Sequence, residues 1–199
     1  ITGMGFQPDW LWFKSRNNTN DHAWFDSVRG VTKGLKSNSS AAETTSSSSQ
    51  DLVSFDSDGF TTGTPANYSS LGSNTFTIAT WGWKAGGAAS TIAADSVSSG
   101  VPSVASSVSA SPESGFSIVQ YTTTGSGDIT VGHGLGKAPE MIFGKVRGEN
   151  YGGNVFALPA GATKGGSFLN SSNGGPTAFG TDTAFGATAP TTTVFTAGR

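Results

Sequence analysis

Several residues in this chain are of types that do chemistry. Asp56 and Asp58, in the run Asp-Ser-Asp-Gly, have the types and spacing of calcium ligands. An EF-hand loop needs an acid at its first position and Glu at its twelfth. Placing Asp56 and Asp58 third and fifth puts Ser54 first and Pro65 twelfth, so the loop fails, and an Asp-Gly hairpin turn is the better reading. His22 and His133 are the only histidines, and a nucleophilic triad would need one of them beside a carboxylate and a hydroxyl. Lys14 and Arg16 form a basic pair that would suit an anion, as do Lys145 and Arg147. Two residues apart on a strand, the members of each pair share a face, which reads as a solvated face or a charged, protected edge. Trp10, Trp12, Trp81 and Trp83 are candidate ligand-stacking or interface aromatics. Asn17, Asn38, Asn67 and Asn170 head Asn-x-Ser/Thr sequons, candidate glycosylation positions. Gly3, Gly5, Gly134 and Gly136 make G-x-G pairs without the third glycine and helix of a dinucleotide site, so they read as turns or bulges entering a strand.

These residues must be held by strands. Residues 116–122 (FSIVQYT) and 75–84 (TFTIATWGWK) alternate with β-branched and aromatic side chains. DWLWFK (9–14) and EMIFGK (140–145) follow a proline, which is tolerated at a strand's start. HAWFDSV and NVFAL read as the next strands, and Gly- or Asn-rich joints separate the runs. No helical period of usable length occurs.

The chain also repeats itself. Gly3–Arg16 and Gly134–Arg147 share the pattern G-x-G-x-x-P-[DE]-x-[LI]-x-x-K-x-R at an offset of 131 residues. The offset holds onward, Phe25 with Phe156, Gly30 with Gly161 and Thr32-Lys33-Gly34 with Thr163-Lys164-Gly165. Neither histidine recurs: Thr2 stands for His133 and Gly153 for His22, which argues against a repeat-borne catalytic site. Met141 and Phe143 stand for Trp10 and Trp12, as packing positions allow.

The expected organisation is a first β unit at 1–87, a small-residue linker or extended arm at 88–112, and a second β unit at 113–199. The first unit lacks the opening strands seen at 114–134, and the second lacks a closing strand like 74–87. All-β jelly roll or β-sandwich is the expected fold class.

Charged residues are 12% of the chain and the net charge is −2 with no basic run, which argues against nucleic acid. No apolar run approaches the length of a transmembrane helix. Cysteine is absent, so no disulfide or thiolate metal site exists. Aromatics at 11% distinguish the chain from a disordered one.

The words GFQPDWLWFKSRN, HAWFDSVRGVTKGLKSN, SFDSDGFTTG, TWGWKAGG, GFSIVQYTTTG and VGHGLGKAPEMI together resemble repeat domains of marine phage virion and tail-fibre-like proteins. Those domains are similar in turn to concanavalin or laminin-G type jelly rolls. The resemblance implies structure and attachment rather than a reaction: no catalytic residue, no cofactor and no metal. The expected function is a structural protein on a virion or outside the cell. It would assemble head-to-tail with itself into a fibre or filament by strand exchange. The alternatives are a lectin-like module binding glycans at a fibre tip, and a fragment of a longer tail fibre.

Overall fold

The computed structural model describes residues 1–68, 71–96, 101–123, 127–148, 153–157, 165–168, 177–178 and 188–198. The described residues form strands, turns and bends without a helix, and the fold is an all-β, antiparallel stack of sandwiched sheets.

A five-stranded sheet lies at its centre. It holds β1 (Trp10–Ser15), β2 (Ala23–Asp26), β3 (Lys33–Lys36), β4 (Thr44–Thr45) and, across β1, β7 (Ile78–Trp83), in the order β4-β3-β2-β1-β7. Alternation sends Leu11, Phe13, Ala23 and Phe25 to one face. There they meet the hairpin of β5 (Leu52–Asp56) and β6 (Gly59–Thr62), with Leu52, Phe60, Tyr68 and Leu71 closing the core. Trp10, Trp12, Trp24, Leu35 and Trp83 line the other face.

A Pro-led strand with one apolar side is therefore only half of what β1 is. Both faces are covered, which is uncommon for an antiparallel sheet. The second cover comes from the far half of the sequence: Phe116 and Ile118 of β10 (Phe116–Tyr121) and Phe143 of β12 (Met141–Lys145) pack on the tryptophans. The opposite sides of these same strands, Val119, Tyr121 and Ile142, pack on a third core. That core is built by Val104 with β11 (Ile129–Gly132) and β16 (Val194–Ala197), which pair with each other.

β12 continues through β13 (Gly153–Ala157), β14 (Gly165–Phe168) and β15 (Thr177–Ala178). The pairing of β1 with β2 runs Trp10↔Asp26, Leu11↔Phe25, Trp12↔Trp24 and Phe13↔Ala23. That of β12 with β13 runs Met141↔Ala157, Ile142↔Phe156, Phe143↔Val155 and Gly144↔Asn154, each partner 131 residues further on.

The stretch 88–112 carries β8 (Ser90–Ile92) and β9 (Ser106–Ser111), which sits between β8 and β10 in a three-stranded sheet. The stretch expected as a linker or extended arm thus carries sheet strands in its described residues. Weak apolar content conceals this because serine does the burying. Ser106 Oγ donates to the Gly132 carbonyl at 3.0 Å and Ser109 Oγ to that of Gly87 at 2.8 Å, so both hydroxyls are satisfied inside.

Candidate functional site

The tryptophans come together in one aromatic seam. Trp10 is only 7% exposed. Its ring lies 4.6 Å from Trp83, 5.4 Å from Trp24, 5.6 Å from Phe116 and 5.7 Å from Phe143, centroid to centroid. Phe116 is stacked on it, and Trp24 meets it edge-on, both favoured aromatic geometries. Buried Trp10 and half-buried Trp12 and Trp83 thus pack into an intramolecular interface, and Trp10 cannot serve as a surface platform. Trp81 differs: it is 49% exposed, with Trp12 6.0 Å away. The seam has a polar cost, since the indole N–H groups of Trp12 and Trp24 are buried without an acceptor.

A chain of ions locks the edge of the seam. Glu43 binds Arg147 through a two-pronged contact, Nε to Oε2 at 2.8 Å and Nη2 to Oε1 at 2.9 Å. Glu43 Oε2 also accepts from Arg29 Nη1 at 3.0 Å, and Arg29 Nε reaches Asp26 Oδ2 at 2.5 Å. Burial pushes the Glu43 carboxyl up, but hydrogen bonds from Arg147 and Arg29 outweigh it and hold the group below its ordinary value. Arg147 is raised by the same contact. Sequence reasoning did not single out Glu43. Its signal was a lone acid in the uncharged run SNSSAAETTSSSS.

The basic pairs are not solvated faces. Lys14 Nζ turns onto the 15–20 loop and donates to the carbonyls of Ser15, Asn18 and Asn20 at 2.6, 3.1 and 3.3 Å. Arg147 is held by Glu43, and burial lowers the Lys145 ammonium. Only Arg16 of the four is exposed.

Asp56 and Asp58 flank the β5–β6 turn. Asp58 accepts the Gly3 N–H at 2.9 Å and the Gly5 N–H at 2.6 Å, which lowers its pKa. Both glycines have positive φ, +93° and +75°, so the first G-x-G pair is a left-handed turn clasped by an acid. Among the described residues no group of three or more His, Cys, Asp or Glu could hold a metal ion.

His133 is buried. Its Nδ1 accepts the Leu135 N–H at 3.2 Å, which leaves the ring proton on Nε2, 3.2 Å from the Thr191 carbonyl. Burial lowers its pKa. His22 lies against Trp12, and burial, then Lys14, lowers its pKa. Neither ring has a carboxylate bonded to it in these contacts, so the residues of a triad are not brought together.

Three sequon asparagines already use their amide nitrogens: Asn17 on Thr75 at 3.4 Å, Asn38 on Asp21 at 2.9 Å, and Asn67 on Thr45 and Ser46 at 3.2 and 2.9 Å. Asn170 lies outside the described residues. Asn67 also borders a polar hollow of about 240 Å³ with Thr19, Asn20, Asp21, Lys36 and Tyr68.

The remaining feature is an edge. β12 has β13 on one side and, among the described residues, no strand on the other. Met141 at its start is 55% exposed and Val146 just past its end is 46% exposed.

The model of the domain of unknown function DUF7483 matches residues 1–199, the whole chain. The chain belongs to the DUF7483 family. No curated protein and no solved structure matches it.

Proposed function

We propose that the chain is a non-enzymatic structural protein that assembles with copies of itself into a fibre or filament by strand exchange between neighbours. The observation that carries this is the β12 edge, which has no second strand beside it among the described residues and where Met141 and Val146 are exposed. An open edge presents a row of backbone donors and acceptors that a further strand can satisfy. Head-to-tail contacts of this kind form open polymers when the rotation between copies does not close. The residue-for-residue recurrence of the β1–β2 register in β12–β13 supports a duplicated unit, the frame such exchange needs. A virion surface or the outside of the cell is the location that goes with this reading, given the resemblance to phage virion repeats.

Sedimentation of native material at micromolar concentration, with negative-stain imaging, tests the reading. Polymers of uniform width are expected. A folded monomer at every concentration refutes it.

A second reading, glycan binding at a fibre tip, is favoured by Trp81 alone, the one tryptophan with half its surface exposed. It predicts glycan-array signals that Trp81→Ala abolishes.

A further inference from the structure

The seam grows more exposed toward one end. Alternation along β1 puts Trp10, Trp12, Lys14 and Arg16 on one face. Phe116 and Phe143 cover Trp10, and Phe143 reaches as far as Trp12. Trp81, opposite Trp12 in the pairing of β1 with β7, is 49% exposed. Among the described residues its aromatic neighbour is Trp12, 6.0 Å away. The pairing runs on to Arg16, whose N–H donates to the Thr77 carbonyl at 2.7 Å, and Arg16 and Thr77 are both exposed.

This strip is positive in a chain of net charge −2. Residues 74–83 hold no charge, and residues 10–22 hold Lys14, Arg16 and one acid, Asp21. Asp21 is already taken, by Lys36 Nζ at 2.8 Å and Asn38 Nδ2 at 2.9 Å. The two cations differ in what they have left to give. Lys14 Nζ spends its donors on the carbonyls of Ser15, Asn18 and Asn20, so it contributes its field alone. Arg16 forms no ion pair among the described residues, and its guanidinium keeps a planar fork that matches a carboxylate.

We propose that the strip from Trp81 to Arg16 binds a sugar chain that carries carboxylates, a uronic-acid oligosaccharide. This rests on the glycan reading of Trp81 and names the sugar class. The indole face takes the apolar C–H side of one ring. The Thr77 hydroxyl meets sugar hydroxyls, and Arg16 takes the carboxylate of a ring further along. Trp12, opposite Trp81, lies four residues from Arg16, roughly 13 Å at about 3.3 Å per residue, a length that one sugar ring does not cover and a short chain does. A nucleic-acid strand would also stack on indole. It brings a charge with every nucleotide, however, and is held by clustered cations, whereas this strip presents two.

The test titrates the full chain with a galacturonic acid tetrasaccharide at low ionic strength, read by calorimetry and tryptophan fluorescence. Saturable binding is expected, weakening as salt is added. The fully methyl-esterified tetrasaccharide keeps the rings and loses the charges. It should bind at least about tenfold more weakly, as should Arg16→Gln, since a hydrogen bond between charged groups is lost in each case. Trp81→Ala should abolish binding. Both side chains are exposed, so the variants should keep the native Tm. No saturable binding, equal binding of the ester, or unchanged binding in either variant overturns the proposal. A thymidine oligonucleotide that binds more tightly than the sugar overturns it in favour of nucleic acid. The glycan reading fails separately. Neutral sugars captured through Trp81 and indifferent to Arg16 refute the acidic-sugar site and leave glycan binding standing, whereas no capture of any sugar refutes both.

Discussion

Replacing Glu43 with alanine should destabilise the fold well beyond the effect of replacing its partner Arg147. The clamp joins residues 104 positions apart, but its two arms differ in burial. Toward Arg29 it is nearly dry, with side chains 5% and 11% exposed, while Arg147 is 37% exposed. Removing one partner of a buried pair strands the other charge, at about 3–5 kcal/mol. Arg29 retains Asp26 as a second counter-charge, which places Glu43→Ala at the low end, about 3 kcal/mol. Removing Arg147 breaks a partly screened contact, and Glu43 keeps Arg29, so the loss is about 1 kcal/mol. For a chain of this size each kcal/mol shifts Tm by about 2–4 °C, so calorimetry should show a drop of about 6–12 °C for Glu43→Ala against about 2–4 °C for Arg147→Ala. The sign with pH follows from the depressed Glu43 carboxyl. Its contribution is full above its unfolded value, near 4.5, and is lost as pH falls through the lower folded value. Glu43→Gln should flatten the acid limb of the stability curve over that window. Equal Tm shifts for the two alanine variants, or an unchanged acid limb, would refute the assignment of the energy to the buried arm.

Other perturbations follow from the same structure. Asp51, fully buried, accepts from Ser46 Oγ and from the N–H groups of Ala66, Asn67 and Tyr68, so Asp51→Ala should cost about 3 kcal/mol or more in urea denaturation. Trp10→Ala opens a cavity under Phe116 and Phe143 and should lower stability by about 3–5 kcal/mol, with loss of the near-ultraviolet circular dichroism of the seam. Trp81→Phe should remove most of the acrylamide-quenchable tryptophan fluorescence, because Trp81 is the exposed member of the set. His133, kept neutral by burial, takes up a proton on unfolding, so stability should fall as pH drops below about 6.5, and His133→Gln should lessen that fall.

The strands were legible from alternation because their side chains obey the period of two. β10 and β7 were marked by β-branched and aromatic residues, and the Asp-Gly turn by its own chemistry. β8 and β9 were not, because their buried positions include Ser106 and Ser109, whose burial depends on carbonyls from distant segments. The clamp was invisible for a similar reason. Nothing local to Glu43 says that Arg147 lies within 3 Å, and the basic pair at Lys145 and Arg147 read as a surface until the acid was placed beside it. The tryptophans were singled out, but pattern alone could not say what they would face.

What they face is the other half of the chain, and this bears on assembly. Exchange of strands is informative only if the rest of each copy stays fixed while one edge remains free. The seam supplies the fixity: five aromatic rings and Phe143 interlock two halves whose described strands do not pair across it, and the clamp ties its rim. With both faces of β1 and of β10 covered, neither sheet can slide or open face-on without emptying a core. The freedom that remains lies along strand edges. β1 has spent its edges on β2 and β7, whereas among the described residues β12 pairs with β13 alone, and Met141 and Val146 beside it are exposed. An interlocked body that grew along one such edge would have a direction built into it. Under the assembly reading, addition of a strand at that edge would extend the body from one end rather than join two copies symmetrically.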